Sequence, residues 1–368
     1  MFNPSRLIFA RKRRSLSRVA LAERSNLSNR ILAYYESGER VPPDDVVITL
    51  ARVLSFPESF FFGQDLDELD FQIASFRSLK NMTAGKRDAA LTAGRLAIEL
   101  SKWIEERFEL PAPTLPELRG FDPHAAAQAL RAEWRLGERP IKNMVHLLEA
   151  HGVRVFSLPV DSASVDAFSV WYGDVPFVFL NQMKSGERSR MDAAHELAHL
   201  TLHRHGGPRS REAEVEADKF AGAFLMPAGD VLAHARRWAN VQMILTLKSR
   251  WSVAAIALVH RLRTLNLLTE WQYRNLCVEL SQMGFRRSEK DGIVRENSQV
   301  LTKVMSTLRK EMLPRSAVAK DLLITTSELD SLVAGLVMTL MVGGRANSSL
   351  PSGTRSGRST GRLEIVGS

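Results

Sequence analysis

Apolar residues recur at intervals of three and four along most of this chain, which predicts a largely helical protein. Near the N-terminus, Arg11-Lys12-Arg13-Arg14 closes a first helix, and Leu16 to Arg24 and Ser28 to Tyr35 read as two more around a turn at Ser25-Asn26-Leu27. Asparagine tolerates the left-handed conformation such a turn needs, and Ser28 is a good N-cap. Leu21, Ala22, Leu27, Leu32 and Tyr35 fall where these helices pack together, leaving Ser28, Asn29, Arg30 and Tyr34 outward. From Lys86 to Leu110, Leu96, Leu100, Trp103, Ile104 and Phe108 keep helical spacing, as expected of a spacer helix packed on the next domain rather than a dimer zipper. Pro111 to Pro116 then breaks the pattern. Phe177 to Leu180 is apolar throughout, the pattern of a buried strand or of an edge that a peptide could join. Helical patterns return around Met191–Leu200, Glu214–Ala221, Val253–Leu268, Trp271–Met283 and Ser298–Met341. Within the last, residues 317–322 and 327–332 have helix-turn-helix spacing, but acidic outer positions favour a plain helical bundle. The breaks predict a head over 1–65, a helical linker over 66–120, a mixed domain over 121–265, a helical region over 266–342 and a disordered tail over 343–368 rich in Gly, Ser, Thr and Arg.

Composition narrows the class. A chain of 368 residues with 45% apolar content can build two or three cores. One cysteine, Cys277, excludes internal disulfides and fits a reducing compartment. No run approaches the roughly 20 apolar residues of a membrane span and no signal-peptide core is visible, so a cytoplasmic location and no membrane partner are expected. The formal charge of +9 favours polyanion partners without identifying one.

The strongest chemical signal is His195-Glu196-Leu197-Ala198-His199. On a helix, the two imidazoles lie one turn apart on one face, about 6 Å apart, and can reach one metal ion. Glu196 then stands beside the metal's water as a general base, an arrangement suited to peptide hydrolysis. A five-residue match arises by chance in on the order of one chain in a hundred, so its surroundings decide. A catalytic zinc site needs a third protein ligand. Glu214 can supply it, with Asp218 one turn on to hold a ligand histidine from behind. His205 competes at a spacing that needs a glycine turn at position 202, and Leu202 disfavours it. His203 and His205 read as a histidine-rich helix end, Glu212 and Glu216 as a solvated face, and Tyr172, His203 and His205 are candidate oxyanion donors.

These residues carry two resemblances. Ile141 to Pro227 resembles the ImmA/IrrE metallopeptidase domain: a helix ending in Leu147-Leu148-Glu149, strands at Gly152–Val155 and Pro176–Asn181, the pair Arg188/Arg190, the His-Glu-x-x-His helix, and Glu214–Ala221 running on to Leu225-Met226-Pro227. The resemblance implies that His195, His199 and Glu214 hold one metal ion per chain, that Glu196 is the catalytic base, and that a repressor protein is the substrate. The first sixty residues are similar to the XRE (lambda-repressor-like) helix-turn-helix domain, including Tyr35-Glu36-Ser37-Gly38-Glu39-Arg40-Val41-Pro42, with Arg18 where that family often has glutamine and Asn26 where it often has glycine. It implies double-stranded DNA as partner, contacted by Arg18, Ser28, Asn29, Arg30 and Tyr34. Repressors with such heads commonly act as homodimers, although no segment reads as a dedicated dimer surface. The expected fold is α+β and mostly helical, with an all-α head, a zincin-like domain with a small sheet and a C-terminal helical region. Zinc is the expected cofactor for two histidines and a carboxylate around an open position. The competing expectation is a transcription factor or antitoxin-like repressor whose peptidase-like domain only senses or docks.

Overall fold

The computed structural model describes residues 1–67, 69, 83–159, 166–204, 211–235, 239–285, 289 and 291–337. The head comprises α1 (Pro4–Arg13), α2 (Arg18–Ser25), α3 (Asn29–Ser37) and α4 (Asp44–Leu54), closed by a 3-10 turn at Glu58–Phe62. Asn3, Ser17 and Ser28 cap the first three helices, each side chain accepting an amide N–H of the first turn. Because Ser17 is the cap, α2 starts at Arg18 rather than Leu16. Asn26 takes the expected left-handed conformation, φ 54° and ψ 36°, and turns the chain into α3. Leu7, Leu21, Leu32, Leu50, Phe60 and Phe61 are fully buried between these elements.

Helix α5 (Ala84–Glu105) is a packed spacer, as its apolar spacing predicts. It packs on α1 at one side and on the sheet at the other. At Gly94, a Cβ would lie 2.9 Å from the Phe168 ring and 3.3 Å from that of Phe179, so only glycine lets helix and sheet approach this closely. The segment after α5 is also fixed: Gly152 (φ +80°) leaves room for Ala112 and Pro113, which a Cβ would meet at 2.4 Å.

After α6 (Pro123–Glu133) and α7 (Met144–Ala150), the sheet forms from β1 (Arg154–Leu158), β2 (Ala167–Tyr172) and β3 (Val175–Asn181), in the order β1-β3-β2. β3 runs parallel to β1, with Arg154 opposite Phe177, and antiparallel to β2, with Ala167 opposite Leu180. Of the two readings of Phe177–Leu180, the buried strand holds and the edge does not: β3 is central, and its unbroken apolar run reflects neighbours on both sides and cover on both faces. The outer strand beside α8 is β2. Phe168 and Phe179 face α5, whereas Ser169 and Trp171 face α8 (Gly186–Leu202), where they bond to Glu196 and to the Leu200 carbonyl.

Helix α9 (Arg211–Leu225) lies on α8 and α6, followed by α10 (Ala228–His234), α11 (Val241–Trp251), α12 (Ala255–Thr264) and α13 (Glu270–Gln282). The C-terminal region is α14 (Gln299–Lys310), α15 (Arg315–Asp321) and α16 (Thr326–Val333). Glu149, buried on α7, caps α14 by accepting the Gln299 amide at 2.8 Å and the Val300 amide at 3.2 Å; burial raises its pKa despite these bonds. The pair α15–α16 has helix-turn-helix connectivity, yet α16 is packed on β1 and α5 and cannot enter a groove. Its Glu328 instead meets the head: Arg13 Nε lies 2.6 Å and Arg14 Nη1 2.9 Å from the carboxylate. The predicted tail from Gly343 lies outside the described residues. No described helix is long and apolar enough to cross a membrane.

Candidate metal centre and DNA-facing helix

Helix α8 is capped by Ser185, whose side chain accepts the Arg188 amide, and runs unbroken through both histidines. Leu197 and Leu200 are buried, as the helical pattern requires. His195 and His199 present Nε2 atoms 3.1 Å apart. Glu214, in the first turn of α9, places Oε2 3.4 Å from His195 Nε2 and Oε1 3.6 Å from His199 Nε2. Bonds of 2.0–2.2 Å to a tetrahedral ion put neighbouring ligand atoms about 3.3–3.6 Å apart. The triangle of donors therefore has the size of one face of a zinc tetrahedron. These three side chains form a group that could hold a metal ion. Glu214 Oε2, moreover, is buried with no hydrogen-bond partner among the described residues, as suits an atom reserved for a cation.

The surroundings hold each ring from behind. His195 Nδ1 lies 3.0 Å from Asp218 Oδ1, the pairing expected from sequence. Burial disfavours a charge on His195, but its interactions with Asp218, Glu214 and Glu196 outweigh it and raise its pKa to about 9. The electrostatics thus favour a cation at this position. His199 Nδ1 lies 3.0 Å from His203 Nδ1, and His203 Nε2 lies 3.0 Å from Glu216 Oε2. His203 is thus no idle helix end and Glu216 no merely solvated face; together they form a relay that fixes the His199 ring. Glu196 is buried beside His195 and receives the Ser169 hydroxyl on Oε2 at 2.7 Å. Tyr172 turns to α5 instead, accepting from Lys102 at 3.3 Å and lying under Arg95. His205 lies outside the described residues.

In the head, Arg18, Ser28, Asn29 and Arg30 are exposed and Tyr34 half-buried, on one side of α2 and α3. Arg18 Nε donates to Asn29 Oδ1 at 3.1 Å, and Arg30 Nε to the Tyr34 hydroxyl at 2.9 Å. Ser28 uses its hydroxyl to cap α3, so its role is to orient the helix. Arg40, overlooked in the sequence pattern, lies over the Tyr34 ring at 5.1 Å and extends the basic face.

With this geometry established, the family comparisons fall into place. Residues 7–61 match a helix-turn-helix family model, and residues 148–263 match the peptidase-family model described as IrrE N-terminal-like domain. The chain is similar to a helix-turn-helix head fused to an IrrE-like domain. No curated protein matches it. The helix-turn-helix match supports DNA binding, and the IrrE-like match covers α8, α9 and the donor triangle.

Proposed function

We propose that the protein is a DNA-binding transcriptional regulator whose IrrE-like domain is a zinc-dependent endopeptidase acting on a protein partner. The observation that carries this reading is the His195–His199–Glu214 triangle, sized for one tetrahedral ion, with the buried carboxylate of Glu196 between the two histidines on α8. Zinc bound there supplies Lewis-acid polarisation of a peptide carbonyl and acidifies a water molecule. Glu196 takes the proton of the attacking water and returns it to the departing amide nitrogen. The Ser169 hydroxyl holds the Glu196 carboxylate in one orientation, and Asp218 and His203 fix the rings of His195 and His199. The outer strand next to α8 is β2, so an extended substrate is laid along β2 rather than β3.

The head offers Arg18, Asn29, Arg30 and Tyr34 to a major groove, and by holding the peptidase on DNA it raises its local concentration near a repressor bound at the same promoter. The test is Glu196→Gln. It should keep the fold and about one zinc per chain while abolishing cleavage of the partner; if the variant behaves as wild type in every assay, the domain is a docking or sensing module instead.

A further inference from the structure

A cavity of about 780 Å³ lies between the N-terminal half of α8, the middle of α9 and α12. That volume is typical of sites for small organic ligands, roughly 300–1,000 Å³. Of the groups placed at the metal centre, Asp218 lines it, so this carboxylate is shared between the cavity wall and His195.

The charges around the cavity are unevenly matched. Its carboxylates all have cationic neighbours. Lys184 pairs with Asp166 and lies 3.4 Å from Asp192. Lys248 lies 2.9 Å from Glu289 and 4.0 Å from Glu187, and Asp218 is bonded to His195. Among the described residues, the two cations of the wall on α9 and α12, Lys219 and Arg261, have no carboxylate within ion-pair distance. Arg261 is only 5% exposed, yet no carboxylate lies within ion-pair reach of it among the described residues. Its Nε donates to the Met226 carbonyl at 2.8 Å and its Nη1 to His124 Nδ1 at 3.1 Å, leaving further N–H groups without an acceptor among the described residues. Burial, only partly offset by the charge of Glu138, lowers its pKa to about 10, so it remains a cation at neutral pH. Lys219, also on the wall, has no ion-pair partner among the described residues. Glu138 acts on the Arg261 guanidinium only from beyond ion-pair distance. A desolvated guanidinium without a close counter-charge is costly, and an anion entering the cavity would relieve that cost. Met191, Ile256, Ala257 and Phe285 supply apolar surface beside it.

We propose that this cavity binds a small organic anion, an apolar body bearing a carboxylate or a phosphate, with Arg261 as its buried anchor and Lys219 beside it. Through Asp218, ligand and metal act on one carboxylate, so each changes the other's affinity by the same factor. The binding does not depend on peptide cleavage.

Calorimetric titration of the intact, zinc-loaded protein with phenylphosphate and phenylacetate, against neutral 2-phenylethanol, tests it. At least one anion should bind saturably and about tenfold or more tighter than the alcohol. Whichever anion binds tighter identifies the acidic group. Arg261→Gln should weaken the anion about ten- to a hundredfold. Because Arg261 also supports the Met226 carbonyl, two further variants guard against misfolding. Lys219→Gln should weaken the anion, and Ala257→Phe, which fills the cavity, should abolish binding with zinc content unchanged. Equal binding of alcohol and anions, anion binding retained in Ala257→Phe, or no saturable binding at millimolar concentration to folded protein would overturn the proposal. A protein that binds the anion and cleaves no partner upholds this site and defeats the peptidase reading; the reverse result does the opposite.

Discussion

Removing His203 should weaken zinc binding although it is not a ligand. Partners behind metal-ligating histidines typically account for about ten- to a hundredfold in affinity, or ~1.4–2.7 kcal/mol. The relay suggests where in that range each variant falls. His203 is shielded, its side chain 15% exposed, so deleting it removes a contact to His199 Nδ1 that water replaces poorly. Asp218 is 41% exposed and Glu216 47%, so water can substitute for part of what each provides. The expected order of loss is His203→Ala, near a hundredfold, then Asp218→Ala, nearer tenfold, then Glu216→Ala, a few-fold at most because it acts only through His203. Competition of the intact protein against a chromophoric chelator at fixed pH and ionic strength gives the three affinities. Unchanged affinity in folded His203→Ala, or a larger loss in Glu216→Ala than in His203→Ala, would refute the relay.

Three other outcomes follow from the same geometry. The His195 pKa, raised from 6.5 to about 9, means that the protonated ring stabilises metal-free protein below pH 6.5 and that this contribution is lost as pH rises through about 9. Zinc must displace that proton, so its apparent affinity should climb across the same window; a flat affinity profile there rules the assignment out. Glu328→Ala removes a buried carboxylate bonded to Arg13, which is 2% exposed, and should destabilise the protein by about 3–5 kcal/mol in denaturant unfolding, whereas pairing it with Arg13→Met should recover most of the loss. A loss below about 1 kcal/mol for the single change would show that the pair contributes little. Arg30→Ala should weaken specific DNA binding by about 1–3 kcal/mol in fluorescence anisotropy at fixed salt, with zinc content unchanged; undiminished binding would remove α3 from the groove.

The parts legible in the sequence are those in which one helix carries its own evidence. His195, Glu196 and His199 share a single helical face, Glu214 and Asp218 sit one turn apart on the next helix, and Asn26 marks a turn that few other residues tolerate. What stayed hidden depends on how helices meet. Nothing local links His203 to Glu216; their contact exists because α9 lies along α8 in one particular register. β2 left a readable trace in Tyr172-Gly173-Asp174-Val175, a two-residue hairpin turn with Gly173 at φ +59°. Of the acidic positions of α16, which argued against DNA contact, Glu328 meets the head's own arginines and Asp330 meets Arg315 of α15.

That last contact also has an order in time. Glu328 follows Arg13 by 315 residues, so during synthesis the head emerges roughly 15–60 s before its acidic counterpart at ordinary elongation rates. Through that interval Arg13 and Arg14 lack the Glu328 carboxylate on an otherwise finished four-helix head. Without that negative charge the nascent head should bind polyanions more strongly than the mature protein, and so should any shortened form lacking α16. DNA affinities measured on an isolated head should accordingly overstate those of the whole molecule.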